Sequence, residues 1–340
     1  MSYSRFTTSM ARIFISCVST VVLMPASAAP PTLEMMVAQA KNDPTTFISL
    51  NDYGSFIQAV SGPFSLPGVT SASFQVSRGE ALGDGEFSRI VLPFSSSFED
   101  LGFNGMTPYA ELTLSHTEQK QNEFWMQGMP MMMMVSHNIK SSSIMAGFGV
   151  DLKPDESLII RPILHLGWSR IKDNSNPTTP AGEVFRTMVG EKLFIWEIEQ
   201  LQYGLALEAE HTTTLGDDIN ALTGLRATQL NVKTSTTSTP GLKESNQFHS
   251  ISGNLGFDGP TYMSIYNRDV RWLYFMGATH FDNATSDALK FSWLSEAGVG
   301  LSLVDNQEDI PYVKALGLTG SVIFGDSSLN GWTIGLNANF

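Results

Sequence analysis

Three groups of side chains in this sequence have types and spacings that could do chemistry. His280 and Asp282 stand two residues apart, as do Glu208 and Glu210, and on an extended strand residues two apart leave the same face. An imidazole beside a carboxylate can take a proton from water, which is general-base work. His249-Ser250-Ile251-Ser252 offers a base and two hydroxyls, but a nucleophile on the face of His249 would have to sit two positions on, where the residue is Ile251. Met126, Met129 and the run Met131–Met134, close to His137, present thioethers, which suit soft metals such as Cu(I). Each group has a simpler reading: charged pairs near strand ends as rim or wall residues, and a methionine-rich loop as flexible apolar packing. The expectation is therefore no enzyme, no metal and no cofactor.

What must position these residues is a strand pattern of period two. At the C-terminus Trp332, Ile334, Leu336, Ala338 and Phe340 point one way, and Thr333, Gly335, Asn337 and Asn339 the other. Upstream, Leu158, Ile160, Leu164, Leu166 and Trp168 oppose Arg161, His165 and Ser169, while Tyr203, Leu205, Leu207 and Ala209 oppose Gly204, Glu208 and Glu210. Ile144, Ala146, Phe148, Val150 and Leu152 oppose Gly147, Gly149 and Asp151. Phe291, Trp293, Ala297, Val299, Leu301 and Leu303 oppose Ser292, Glu296, Gly298, Gly300 and Ser302. Aromatic residues gather near strand ends at Trp168, Tyr203, Phe291, Trp332 and Phe340, where an interfacial girdle would put them.

Composition points the same way. Only 16% of the 340 residues are charged, against roughly 25% in soluble globular proteins. Beyond the N-terminus no segment approaches the ~20 consecutive apolar residues of a membrane-spanning helix. With 20 basic against 33 acidic residues, a nucleic-acid partner is not expected. Residues 1–28 read as a secretory signal peptide: Arg5 and Arg12, an apolar run over Ile13–Met24, then Pro25-Ala26-Ser27-Ala28-Ala29 with cleavage after Ala28. The single cysteine, Cys17, lies inside that leader, and apolar sequence continues past it, which does not suit a lipid-attachment site. Without Arg5 and Arg12, 18 basic residues face 33 acidic ones, a charge of −15, and no disulfide is available.

In lipid every backbone polar group must be paired, so an exported membrane protein made of strands must close its sheet. Alternation places strands over 70–79, 87–98, 107–118, 141–152, 157–171, 201–214, 219–233, 247–258, 270–283, 290–304, 311–324 and 329–340, twelve in number. The fold class expected is all-β, a 12-stranded antiparallel transmembrane β-barrel over 70–340. An N-terminal segment, 29–69, precedes it, with a short helix over 32–42 as a candidate plug of the lumen. If the last strand ends in the periplasm, the long connections 119–140, 172–200 and 234–246 fall outside, and 153–156 and 215–218 inside. Two connections do not fit that asymmetry: the inner one at 259–269 is long and the outer one at 325–328 short.

A chain ending in an alternating strand and a terminal Phe resembles the outer-membrane β-barrels of Gram-negative bacteria. In these the last strand, here Trp332, Ile334, Leu336, Ala338 and Phe340, is read by the barrel assembly machinery. Twelve strands after a short helical stretch are most similar to the translocator domain of autotransporters, with only about forty residues where a secreted passenger would be. The resemblance implies a solitary translocator-type barrel in the cell outer membrane. Such a barrel is monomeric, is bounded by outer-membrane lipid and lipopolysaccharide, and has a structural or transport-related role. A cation-preferring porin is the alternative, a surface hydrolase a weaker one, and a soluble periplasmic β-sandwich the competing fold.

Inside such a wall the charged positions are Glu111, Asp151, Arg161, His165, Glu208, Glu210, Arg226 and Glu296. The turn at 215–218 joins adjacent strands, and matching their inward faces sets Glu208 opposite Arg226 and Glu210 opposite Gly224. An ion pair that braces the interior follows, with a charge filter as its alternative use.

Overall fold

In a computed structural model the described residues are 71–77, 84–102, 105–125, 134–180, 183, 186–187, 195–216, 218–238, 245–266, 268–282, 286, 291–304, 315–326 and 328–339. The leader, the 32–42 segment, the Met126–Met133 part of the methionine-rich loop and Phe340 lie outside them.

The described strands are β1 (Ser71–Ser77), β2 (Asp84–Ser97), β3 (Met106–Trp125), β4 (Met134–Leu152), β5 (Leu158–Asn174), β6 (Asn176–Pro177) and β7 (Ile195–Leu215). They continue with β8 (Ile219–Thr237), β9 (Ser245–Ile265), β10 (Arg268–Phe281), β11 (Trp293–Val304), β12 (Ala315–Gly325) and β13 (Asn330–Asn339). All pairings are antiparallel, and the two-residue β6 only extends the ladder of β4. The other strands pair in chain order, and the series returns to its start where Ala72–Gln75 of β1 pairs with Asn330–Thr333 of β13. Backbone groups along both edges of each of these twelve strands thus have a neighbouring strand to bond to, the condition lipid imposes.

The pairing also fixes the tilt. From Trp332 the row of directly paired residues runs through Ser73, Ser88, Glu118, Lys140 and Lys172 to Glu197. In the other direction it runs through Val322, Ala297, Met276, Leu255 and Thr223 to His211. The two ends of that row lie on β7, fourteen residues apart. For twelve strands that stagger corresponds to a tilt of roughly 40° and a backbone radius of about 11 Å.

Burial alternates along the strands as the sequence pattern requires. On β5, Leu164 and Leu166 are 55% and 57% exposed, while Arg161 and His165 are 6% and 2% exposed. The same inversion, apolar outside and polar inside, recurs at Leu205 and Leu207 against Gln202 and Glu208 on β7. At a tilt of about 40°, the eleven residues Leu158 to Trp168 give an outward apolar band about 25 Å tall.

Seven strands, β2 to β5 and β7 to β9, are longer than the alternation suggested, whereas β1, β11, β12 and β13 are shorter. β7 and β9 have 21 residues each and β3 has 20, so the connections expected at 119–140 and 234–246 narrow to 126–133 and 238–244. The misfit at 259–269 also resolves: β9 continues to Ile265 and turns directly into β10. The alternation is lost there because the β9–β10 register shifts between Val270 and Arg271, opposite Pro260, with Tyr262 at φ 59°. Phe291 departs from its expected outward position. It precedes β11, is buried, and packs edge-on against Phe281 at 5.7 Å between ring centroids. Nor is the inward face uniformly polar: Phe87, Ile171, Ile198, Val232 and Phe281 are among its most buried residues.

Turns are built locally. In Lys153-Pro154-Asp155-Glu156-Ser157, the Asp155 carboxylate accepts hydrogen bonds from Ser157 N (2.8 Å), Ser157 Oγ (2.7 Å) and Leu158 N (2.9 Å), which launches β5. At the β7–β8 turn Gly216 takes φ +65°, a backbone conformation that favours glycine.

Candidate functional site

Seven of the eight expected interior charges converge on one cluster. Arg226 Nη1 donates to Glu208 at 2.9 Å, and the pair stand directly opposite on β7 and β8, as do Glu210 and Gly224. Arg161 on β5 donates from Nη1 to Glu208 (2.7 Å) and from Nε to Asp151 (2.5 Å), with Glu210 at 3.5 Å from Nη2. Arg226 Nη2 reaches Glu111 of β3 at 2.8 Å, and the Glu111 carboxylate also meets His165 Nε2 at 2.6 Å. A carboxylate has no proton to give, so His165 Nε2 carries the hydrogen and donates it. Arg226 Nη2, 3.0 Å from the same nitrogen, then faces an N–H rather than a lone pair. Among the described residues His165 Nδ1 has no hydrogen-bond partner.

Two contributors were missed. Tyr109 donates its hydroxyl to Glu111 at 2.9 Å and lies with its ring 3.9 Å from the Arg161 guanidinium carbon, a cation–π stack. Ser97 donates to Asp151 at 2.6 Å. Tyr109 was legible in principle, two residues before Glu111 on the same face, whereas Ser97 and Asp151 are 54 positions apart with no local signal. Tyr109 also forms a small buried apolar cluster with Ile163 and Ala206. Gly147 admits Glu111: a Cβ there would lie 2.5 Å from Glu111 Cγ.

Glu296, the eighth charge, stands apart on β11. Ser321 Oγ and, at 3.0 Å, Thr333 Oγ1 donate to it, and the two hydroxyls touch each other. Trp332 and Ile334 of the C-terminal strand face outward, 55% and 51% exposed. The side chains of Leu336 and Ala338 lie outside the described residues.

The candidate catalytic pairs rearrange. Asp282 bonds not with His280 but with His249 Nδ1, at 2.6 Å across neighbouring strands, while His280 stands opposite Ile251 and Trp293. The position two residues beyond His249 is the outward Ile251, which supplies no nucleophile. In the interior cluster two guanidiniums face four carboxylates, and each guanidinium bridges more than one of them.

No family model and no curated protein matches the sequence. Among solved structures, the transport unit of the autotransporter AIDA-I from Escherichia coli is similar at TM-score 0.50 and 8% identity, over 85% of this chain and 98% of that one. The β domain of the Bordetella autotransporter BrkA follows at 0.46 and 13%, over 79% and 96%. The translocator domain of the autotransporter NalP from Neisseria meningitidis gives 0.44 and 14%, over 89% and 99%. The AIDA-I likeness shows the fold alone, that of an outer-membrane β-barrel.

Proposed function

We propose that this protein is an integral outer-membrane β-barrel of the solitary translocator type, a monomer without catalytic activity. On this reading residues 1–28 are removed on export and twelve strands span the membrane. The barrel assembly machinery reads the strand that ends at Phe340. The observation that carries it is the inversion of burial on a ring of paired strands: exposed leucines outside, an ionic cluster inside. Water would penalise such an exterior, and lipid requires it. The Arg226–Glu111 contact, which spans three intervening strands, closes off part of the interior.

A cation-preferring pore is the second reading. Its support is that Asp151, Glu111, Glu208 and Glu210 outnumber Arg161 and Arg226 in the cluster. Two measurements decide. Unheated protein in detergent should migrate anomalously on a gel, and normal migration would overturn the barrel. In planar bilayers a braced translocator shows no large steady current, and a large, stable, cation-selective current would establish the pore instead.

A further inference from the structure

The inner connection between β9 and β10 is longer than closing a barrel requires. β9 continues seven residues, 259–265, past Asp258, the last position it pairs with β8, and its hairpin with β10 projects at the end of the wall where β13 finishes. The base of the hairpin is held firmly. Arg271 grips the Asp258 carboxylate through Nε and the Asp218 carbonyl oxygen at 2.8 Å, and Thr261 Oγ1 donates to the Val270 carbonyl oxygen at 2.6 Å. At the tip Tyr262 and Tyr266 take φ 59° and 51°, left-handed positions that favour glycine and penalise a bulky side chain. These tyrosines are 90% and 93% exposed. The local backbone thus favours glycine at both places, and among the described residues no packing repays a tyrosine. What rewards the two rings lies outside the chain.

We propose that the Tyr262–Tyr266 hairpin docks onto a polysaccharide of linked pyranose rings, the glycan of the cell wall beneath the outer membrane; the inference rests on the outer-membrane reading above, which puts this end in the periplasm. Reach excludes the membrane itself. Trp272 and Tyr274, with ring centroids 5.1 Å apart, are the lowest outward aromatic residues of β10 and mark the inner interface. From Trp272 to Arg268 the tilted strand descends about 10 Å, which carries the tip past a headgroup layer of about 6 Å.

Size argues against a protein partner. Tyr262 and Tyr266 together with Met263 and Ile265 offer roughly 500 Å² of apolar surface, less than the ~800 Å² that each partner of a stable protein interface buries. The open edge of β9 is not prepared for an added strand either, because Pro260 has no N–H to give and the register slips directly after it. Chemistry favours sugar. The electron-rich face of a tyrosine ring takes the C–H-lined face of a pyranose, and its hydroxyl can bond to those of the sugar. Met263, Ser264 and Ile265 separate the two tyrosines by up to about 13 Å of strand, so a run of linked rings can engage both where one sugar cannot. A tip braced in advance also loses little freedom on binding.

The test is co-sedimentation of the full-length barrel in detergent with purified, protein-free peptidoglycan. The parent should sediment with it, and a soluble oligomer of N-acetylglucosamine should release it. The double variant Tyr262→Gly, Tyr266→Gly should bind about tenfold or more weakly, whereas Tyr262→Phe, Tyr266→Phe, which keeps both rings, should stay within about threefold of the parent. Because φ at both sites suits glycine, the glycine variant should unfold in denaturant no more readily than the parent. An unstable glycine variant would mean that the rings serve the fold, and would overturn the proposal. So would a parent that fails to sediment, undiminished binding by the glycine variant, or release by excess detergent rather than by the oligosaccharide. Loss of binding to glycan strands stripped of their peptides would overturn it too. Anomalous gel migration is recorded on the same samples: a sample without it sinks the barrel reading, and one with it but without glycan-dependent binding sinks only this site.

Discussion

Arg226 of β8 and Glu111 of β3 meet at 2.8 Å although β4, β5 and β7 lie between their strands around the wall. Neighbouring strands are held by their backbones, so a contact between them adds little shape. One that skips three strands draws two parts of the wall together and narrows the interior between them.

Breaking that contact should be costly. Both side chains are largely buried, 17% and 14% exposed, so Glu111→Gln leaves Arg226, among the described residues, with the single carboxylate of Glu208. Removing one partner of a buried pair costs about 3 kcal/mol, and replacing both costs less than the sum. Denaturant unfolding in detergent, followed by loss of the anomalous gel migration, should show Glu111→Gln/Arg226→Gln less destabilised than the two single variants added together. Strict additivity would mean the contact carries no coupling.

Gly147→Ala should disturb the same contact from below, because the new Cβ would meet Glu111 Cγ at 2.5 Å and Oε1 at 2.9 Å. Overpacking of this kind costs about 1–3 kcal/mol. In the Gly147→Ala background Glu111→Gln should cost clearly less than in the parent, which the same unfolding curves measure.

The sign of a charge substitution on the outward face separates lipid from water. Leu205 is 61% exposed. In water Leu205→Arg would be neutral or helpful; facing the middle of a bilayer it should cost about 2–4 kcal/mol, while Ser142→Arg near the rim should cost about 1 or less. Folding into lipid vesicles from denaturant reads the difference, and a neutral Leu205→Arg would rule against a membrane-facing wall.

Asp326, in the β12–β13 connection, gives a pH dependence. Partial burial would raise its pKa, but hydrogen bonds donated by Ser292 Oγ (2.6 Å), Ser292 N and Trp293 N outweigh that and hold it below the ordinary 3.8. A depressed carboxylate stabilises the fold above its unfolded pKa, and that stability is lost as pH falls through the folded one. The protection factors of the Ser292 and Trp293 amides, measured against the intrinsic exchange rate at each pH, should therefore be high at neutral pH and fall below about pH 4. Asp326→Asn should show the low protection at every pH, and equal protection in variant and parent at pH 7 would dismiss the brace.

Much of this fold is local and so could be read from the chain. A strand shows one face every second residue, so Leu164 and Leu166 announce the outside and Arg161 and His165 the inside without any partner. A short turn transmits register, which is why Glu208 opposite Arg226 follows from the residues around Gly216. Where the ladder slips, at Pro260 and the Val270/Arg271 shift, the alternation lapses and a continuing hairpin looks like a loop. Pairing across a loop is invisible in the same way: Asp282 chose His249, 33 positions away, over His280 two residues off.

By itself, then, the sequence determined the strands, their two faces and the pairing of turn-linked neighbours, because those depend on backbone geometry over a few residues. The tertiary structure alone decided the register in which β1 meets β13, that the rows are staggered by fourteen residues, and that Arg226 reaches Glu111 across 115 positions. Those relationships depend on how a whole ring of tilted strands closes, and no stretch of chain short enough to carry a pattern contains both partners.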